Sequence, residues 1–332
     1  MVPVIQKVVR VTDATVARVS LSMRRERSAL ICFLFHSVFR DEGEIGRNDV
    51  DPLQRTTLLQ FRQFIEYYVQ HGYRFVTPDD LLRGLPAGGR YALITFDDGY
   101  FNNSLVLPLL EEYGVPATFF ISTDHVLQGK CFWWDVLYRE RLAQGKSHRQ
   151  VYRDIGGVKT LTTREIEERL AAEFGRQAFT PRGDVDRPFA PDELRDFARS
   201  PYVRLGNHTA EHAILTNYAP AEVRRQVQDA QAALREMTGI TADSIAYPNG
   251  AHDAEVVRAC VDLGLKVGFT TRPEKTTLPL DADTVDLMRL GRFAPHGEDA
   301  MLTQCQTYRS DLLLYGRFRD GYLRLVRGKV GQ

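Results

Sequence analysis

Residues 91–100 read YALITFDDGY, a short apolar run that ends in two carboxylates and a glycine. The apolar part, Tyr91–Phe96, has the length and composition of a buried strand. If this strand belongs to a parallel barrel, Asp97 and Asp98 follow its carboxyl end, where barrel enzymes carry their catalytic groups. A bare Asp-Asp-Gly is also typical of a solvated turn, so the interpretation depends on the rest of the chain.

Strand and helix patterns alternate on both sides of this run. Before it, an apolar strand at 31–35 precedes a helical pattern at 58–70, and after it the alternation continues to a strand predicted over Leu287–Phe293. Repeated units of this length indicate parallel strands with helices packed outside, and a barrel is the natural closure of such a sheet. The segment 125–190 is long and polar, and we interpret it as an inserted cap.

Three parts are expected along the chain. They are an N-terminal extension at 1–28, a catalytic barrel at 29–310 that contains the insertion, and a C-terminal amphipathic helix at 311–332. The basic and aromatic residues of the last part could rest on an anionic membrane surface, although a solvated helix face explains them more simply.

Composition and targeting signals indicate an ordinary globular protein. The chain contains 43 basic and 43 acidic residues, so no net charge attracts it to nucleic acid, and we expect no such partner. The first thirty residues lack the apolar core of a secretory signal. The four cysteines lie far apart, which is typical of reduced thiols. We therefore expect a cytoplasmic protein, with any membrane association made through its C-terminal helix.

A pair of histidines provides the second chemical feature. His208 and His212 are four residues apart, so their imidazoles can share one helix face or turn and face one ion. With a carboxylate from a neighbouring strand end they form a two-histidine, one-carboxylate set that leaves positions open for water and substrate. We predict one divalent metal, zinc first, with cobalt, nickel, manganese and iron as alternatives.

These motifs, in this order, resemble those of the polysaccharide deacetylase family, also called the NodB-homology or carbohydrate esterase four family. The segment 246–250, AYPNG, is similar to the third motif of that family. The resemblance implies a distorted (β/α)7 barrel, here with an inserted cap and a C-terminal helical appendage. It implies that Asp97 is the general base and that the backbone N–H of Asn249 stabilises the oxyanion. The implied metal ligands are Asp98, His208 and His212.

The same resemblance indicates the substrate. It implies removal of an N-acetyl group from an amino sugar or a glycan precursor, in a groove lined by Tyr100, Tyr247 and Pro248. Trp133 and Trp134, near the start of the cap, could stack on a sugar ring or could instead hold the cap on the barrel. An N-deformylase or other C–N hydrolase on a lipid- or nucleotide-linked sugar would use the same site. A non-catalytic carbohydrate-binding relative is disfavoured, because it has no use for a base beside a metal.

One departure from the family concerns the proton donor. The family commonly ends with an L-x-H motif whose histidine protonates the leaving amine, whereas this chain has Leu290-Gly291-Arg292 at that place. We predict that His36, at the end of the first strand, takes this role, unless it is a structural histidine at a strand end. His252 and His296 are weaker candidates.

A second departure concerns the arginine that often begins the third motif and braces the catalytic aspartate. Ala246 or Tyr247 stands at that place in this chain. Arg292 could brace Asp97 instead, and the alternative is an ordinary surface arginine.

Overall fold

The computed structural model describes residues 2–23, 26–281, 286–297 and 300–311, with backbone alone for residues 2–11. None of the helices within these ranges combines the length and the apolar composition that a membrane span requires. The predicted C-terminal helix at 311–332 lies outside the described residues except for Asp311.

Ten strands form the sheets of the described chain. They are β1 (Ala29–Phe35), β2 (Val38–Phe39), β3 (Thr56–Thr57), β4 (Arg74–Phe75), β5 (Tyr91–Phe96), β6 (Ala117–Ile121), β7 (Val203–Asn207), β8 (Ser244–Ala246), β9 (Val267–Phe269) and β10 (Thr276–Thr277). The main sheet has the order β10-β1-β5-β6-β7-β8-β9, with β4 also paired to β5, and its neighbours from β1 to β9 run parallel. Every residue of β1 and β5 is buried, as expected for parallel strands covered on both faces.

The segment 290–293 closes this sheet into a ring. Leu290 bridges β9 through Phe269, and Phe293 bridges β1 through Phe33, both in the parallel sense. With six parallel strands and this segment, the fold is the predicted distorted (β/α)7 barrel. The strand predicted over Leu287–Phe293 is therefore partly wrong, since Leu287–Arg289 forms a 3-10 turn. That turn begins where the Asp286 side chain accepts a hydrogen bond from the Met288 N–H.

Thirteen helices accompany the strands in the described residues. They are α1 (Val2–Ser22), α2 (Glu42–Gly46), α3 (Leu58–Gln70), α4 (Pro78–Leu82), α5 (Leu107–Tyr113), α6 (Thr123–Gln128), α7 (Trp133–Ala143), α8 (His148–Val158), α9 (Thr163–Phe174), α10 (Pro191–Phe197), α11 (Pro220–Thr238), α12 (Ala254–Asp262) and α13 (Met301–Arg309). Residues near the helix termini determine where these helices begin and end. Thr57 and Gln60 form a capping box at the start of α3, and α11 ends at Gly239 with a φ of 77°.

The predicted insertion folds into a helical cap between β6 and β7. Most of residues 125–190 belong to α7, α8 and α9, which bury their own cluster of aromatic and aliphatic side chains. Inside the cap, Arg139 donates a 2.6 Å hydrogen bond to Asp186, and both side chains are buried. The N-terminal residues, predicted as an extension, form α1, which packs against α13.

Candidate active site

The candidate site lies where the carboxyl ends of β1, β5, β7 and β8 meet. Asp97 follows β5 directly, and its N–H donates to the Phe35 carbonyl at the end of β1 (2.9 Å). The next residue, Asp98, has a φ of 80°, an uncommon conformation for a residue with a side chain. This turn directs two adjacent carboxylates into one site. The arrangement agrees with the prediction that Asp97 and Asp98 follow the carboxyl end of a buried strand.

The three predicted metal ligands lie together. Nε2 of His208 and Nε2 of His212 are each 3.3 Å from Asp98 Oδ1, and the three ligand atoms lie within 4.8 Å of one another. His208 and His212 are carried by a turn rather than a helix, because Thr209 and His212 have positive φ angles of 63° and 53°. Asn207 stabilises the turn by accepting a hydrogen bond from the Thr209 N–H (2.7 Å).

The hydrogen bonds around this cluster fit a bound cation. His208 Nδ1 lies 2.8 Å from the Ala246 carbonyl, which can only accept, so the ring proton is assigned to Nδ1. Nε2 then carries a lone pair that faces Asp98 Oδ1, and this buried oxygen has no hydrogen-bond partner. Acceptor atoms that face each other in a buried site are destabilising unless a cation lies between them. Asp98, His208 and His212 therefore suit a divalent metal.

Arg292 forms a buried, two-pronged ion pair with Asp97. Its two terminal nitrogens donate to the two carboxylate oxygens at 2.7 and 2.8 Å, and its Nε donates to the Thr270 carbonyl at 2.9 Å. The side chain also reaches Thr95 Oγ1 (2.8 Å), and Arg292 is 1% exposed. The alternative of a surface arginine is thus excluded. Such fork-to-fork pairing fixes the orientation of the carboxylate as well as its charge.

Both aspartates are held in the ionised form. Burial favours a raised pKa for Asp97, but the charge and hydrogen bonds of Arg292 outweigh it, and the pKa is lowered. Burial also favours a raised pKa for Asp98, but the adjacent imidazoles of His208 and His212 outweigh it, and the pKa of Asp98 lies well below the usual range. Burial lowers the pKa of His212, which favours the neutral imidazole that metal binding requires, whereas Asp97 and Asp98 raise the pKa of His208 against the effect of burial.

A cavity of about 190 Å³ opens onto these groups. His36 and Asn249 line it together with Asp97, Asp98 and the two histidines. The His36 ring and N–H both lie within hydrogen-bond distance of Gln54 Oε1 (3.1 and 2.9 Å), so the ring has a fixed orientation at the end of β1. Asn249 has a φ of 59° in the turn that follows β8.

Comparison with known proteins decides the family. The profile described as polysaccharide deacetylase matches residues 85–268, more than half of the chain and all three motifs. The chain belongs to the polysaccharide deacetylase family. This family comprises hydrolases that act on the amide bonds of polysaccharides. The chain is 23% identical over 219 residues to the putative polysaccharide deacetylase YxkH of Bacillus subtilis, with 64% of this chain and 58% of that relative covered.

Solved deacetylases share the fold. Deacetylase PplD from Streptococcus pyogenes superimposes with a TM-score of 0.57 at 17% identity, covering 85% of this chain and 99% of PplD. IcaB from Ammonifex degensii gives a TM-score of 0.53 at 17% identity, covering 86% and 99% of the two chains. At this identity the likeness supports the barrel, while the residue assignments depend on the motifs and geometry of this chain.

The two tryptophans of the cap meet the deacetylase barrel at the cavity. Trp133 and Trp134 both line it, although each is nearly buried. The Trp134 ring lies 4.4 Å from the ring of His212, and its Nε1 donates to the Tyr100 hydroxyl at 2.8 Å. Trp134 therefore holds the cap on the barrel and also forms a wall of the cavity.

Other predicted groove residues lie behind the cavity wall. Tyr100 is fully buried and donates to Asp135 at 2.6 Å, so it supports Trp134 and is absent from the cavity lining. Tyr247 is also buried, with its hydroxyl donating to the Met288 carbonyl (3.0 Å) and its ring stacked on His252. Pro248 is buried in the same turn. The prediction that Tyr100, Tyr247 and Pro248 line the groove is therefore wrong for direct contact, because their rings pack into the interior.

The structure adds cavity residues that the motifs did not indicate. Asp51, Thr271 and Lys159 line the cavity beside the motif residues. Lys159 follows α8, and its Nζ donates to Asn249 Oδ1 at 2.8 Å. Its position depends on how the cap folds over the barrel, and no local pattern in the sequence specifies that. His252 and His296 do not line the cavity.

Proposed function

We propose that this protein is a metal-dependent hydrolase that removes the N-acetyl group from an amino sugar of a polysaccharide or its precursor. The observation that carries the proposal is the pairing of two units in one cavity. One unit is an ionised, oriented carboxylate, Asp97 with Arg292. The other is the set of Asp98, His208 and His212, which suits a cation. This division of labour separates proton transfer from metal binding.

Asp97 is the proposed general base. The bonds to Arg292 engage both carboxylate oxygens, and each oxygen retains a further lone pair with which to accept a proton from water. Because Arg292 keeps the pKa of Asp97 low, the base stays available at neutral and mildly acidic pH. A divalent ion in the adjacent set, for which zinc is our first choice, would acidify water and polarise the acyl oxygen.

Two further groups complete the proposed chemistry. The Asn249 N–H would donate to the oxygen of the substrate acyl group as negative charge develops there. His36 would protonate the departing amine, since its ring lines the cavity in a fixed orientation. The cavity is smaller than the roughly 300–1,000 Å³ typical of sites for drug-sized ligands, so it suits one acylated sugar residue.

An acyl-release assay tests this function. The protein, loaded with zinc, would be offered matched N-acetyl and N-formyl amino sugars in free, oligomeric, nucleotide-linked and lipid-linked forms. Release of acetate with an equal amount of free amine is expected. Formate from the N-formyl compounds with no acetate would indicate a deformylase, and no release from any compound would favour a binding protein.

Removing the brace of Asp97 is expected to affect both stability and pH dependence. In Arg292→Met the buried carboxylate loses its partner, which costs about 3–5 kcal/mol in the free energy of unfolding. The pKa of Asp97 should rise, because Arg292 is the main group that lowers it. Since the base acts in its deprotonated form, the acidic limb of the kcat/KM profile should shift to higher pH. Denaturant unfolding and the pH–rate profile measure the two effects.

Arg289→Met is the matched control for that experiment, because Arg289 precedes the same segment and pairs with the exposed Asp286. Arg289→Met should change neither the free energy of unfolding nor the position of the acidic limb. An unshifted acidic limb in Arg292→Met would remove Arg292 from the role of bracing Asp97.

Replacing His36 tests the proposed proton donor. His36→Ala should lower turnover by about 10²-fold, the lower end of the usual contribution of acid–base catalysis. Its metal content should remain normal, since His36 is not part of the metal set. The descending limb of the pH–rate profile that a proton donor imposes should disappear. A wild-type profile in His36→Ala would assign the proton to solvent or to another group, and His252→Ala serves as the control on a neighbouring loop.

A further inference from the structure

The cap contributes one basic side chain to the catalytic cavity, Lys159. It lines the cavity together with the barrel groups and is half-buried at the end of α8. One of its three N–H donors is used by Asn249 Oδ1 at 2.8 Å, and no carboxylate of the described chain forms an ion pair with it. Two donors of an ammonium group therefore remain for a ligand in the cavity.

Hydrogen bonds from the barrel fix the position of Lys159. The Asn217 side-chain amide donates to the Lys159 carbonyl (2.9 Å) and to the Leu161 carbonyl (3.0 Å), which ties the end of α8 to the loop that follows the metal-site histidines. Thr163 N–H donates to the Tyr218 hydroxyl at 2.8 Å. The backbone of Lys159 and its Nζ are thus held by two different loops of the barrel, so little conformational entropy is lost when it binds a ligand.

Charge in the cavity favours an anionic ligand. Asp97 is neutralised by Arg292, and Asp98 belongs to the set that would hold a divalent cation. The remaining carboxylate, Asp51, already accepts hydrogen bonds on Oδ1 from the Leu53 N–H and the Tyr152 hydroxyl. Burial lowers the pKa of Lys159, while Asp51 and Asp98 oppose this shift. A partly desolvated ammonium is stabilised by an anion brought close to it.

We propose that Lys159 is a specificity residue that binds an anionic substituent, a phosphate or a carboxylate, on the sugar whose acyl group is removed. The inference rests on the proposed function and extends it to a substrate class, the acidic or phosphorylated N-acyl amino sugars. Through its bond to Asn249, Lys159 also links this recognition to the turn that carries the proposed oxyanion donor. A neutral sugar would leave the two free donors of Lys159 to water.

Binding to a hydrolysis-deficient protein tests this proposal without relying on turnover. Zinc-loaded Asp97→Asn protein would be titrated by calorimetry with N-acetylglucosamine, its 1-phosphate and the corresponding uronic acid, with and without Lys159→Met. The Asp97→Asn protein should bind each anionic sugar more tightly than the neutral one. Adding Lys159→Met should weaken binding of both anionic sugars by about 10- to 100-fold, the loss expected for a charge-assisted hydrogen bond. Binding of the neutral sugar should change little.

Control variants distinguish anion binding by Lys159 from anion binding by the metal and from positioning of Asn249. Lys159→Arg should retain the preference, and Lys146→Met, which removes a cap lysine paired with Asp154 at 2.7 Å, should leave it unchanged. A preference that survives Lys159→Met would mean that the metal binds the anion, and equal weakening for neutral and anionic sugars would mean that Lys159 only positions Asn249. Either result overturns the proposal. Since binding is measured directly, failure of acetate release by the wild-type protein would refute the proposed function and leave this test valid.

Discussion

Asp97→Asn is expected to retain its metal and to lose turnover by about 10²- to 10⁴-fold, the contribution of a general base. The amide has almost the same shape as the carboxylate, so the cavity should keep its form. It cannot accept a proton from water at neutral pH, and it no longer matches the charge of Arg292. Steady-state acetate release and metal analysis of the same preparation give the two quantities.

Asp124→Asn is a matched control for this substitution, because Asp124 is a partly buried aspartate of α6 that does not line the cavity. Its turnover should stay close to that of the wild type. If Asp97→Asn also keeps near-normal turnover, Asp97 has no role as a base. If Asp97→Asn loses its metal, the separation of base and ligand between Asp97 and Asp98 is wrong.

Asp98→Ala and His208→Ala are expected to lose stoichiometric metal and, with it, all measurable turnover. Each removes one of three ligands, which should cost more metal affinity than the 10- to 100-fold loss typical of replacing a residue that only orients a ligand. Both residues are about 1% exposed, so surface charge does not account for the effect. Metal analysis after dialysis against a weak chelator measures the loss.

His252→Ala provides the comparison, since His252 stacks on Tyr247 outside the cavity and should have no influence on metal content. Full occupancy in both Asp98→Ala and His208→Ala would rule out this metal set. Loss in His252→Ala as well would point to general unfolding of the protein, which circular dichroism would detect.

The local patterns of the chain predicted the barrel and the position of its catalytic end. The spacing of apolar residues identified α3 and β5 at their observed bounds, because each pattern is set by neighbours along the chain. Asp97 and Asp98 could be placed at the site for the same reason, as they follow a strand whose burial is evident from its composition. The four-residue spacing of His208 and His212 indicated that their side chains lie close together. The two histidines are carried by a turn with positive φ angles and not by a helix.

Contacts between distant segments were harder to predict. The sequence suggests Arg292 as a brace for Asp97, but it does not show that the side chain is buried. The burial depends on the segment 290–293, which closes the ring by one bridge to β1 and one to β9. The interior positions of Tyr100 and Tyr247 depend on packing partners such as Asp135 and Met288. Lys159 reaches the cavity because the cap is tied to the barrel by Asn217, a contact between residues 58 positions apart.

The central claim, metal-dependent release of acetate by this site, is tested most directly by one reconstitution series. Acetate release from an N-acetylated amino-sugar oligomer would be measured on one preparation as isolated, after removal of metal by a chelator, and after addition of one equivalent of zinc. We expect the wild-type protein to lose activity on chelation and to regain it with one equivalent of zinc. Asp97→Asn should bind the same one equivalent of zinc and stay inactive in all three states. Acetate release that persists undiminished in the fully chelated protein would contradict the account.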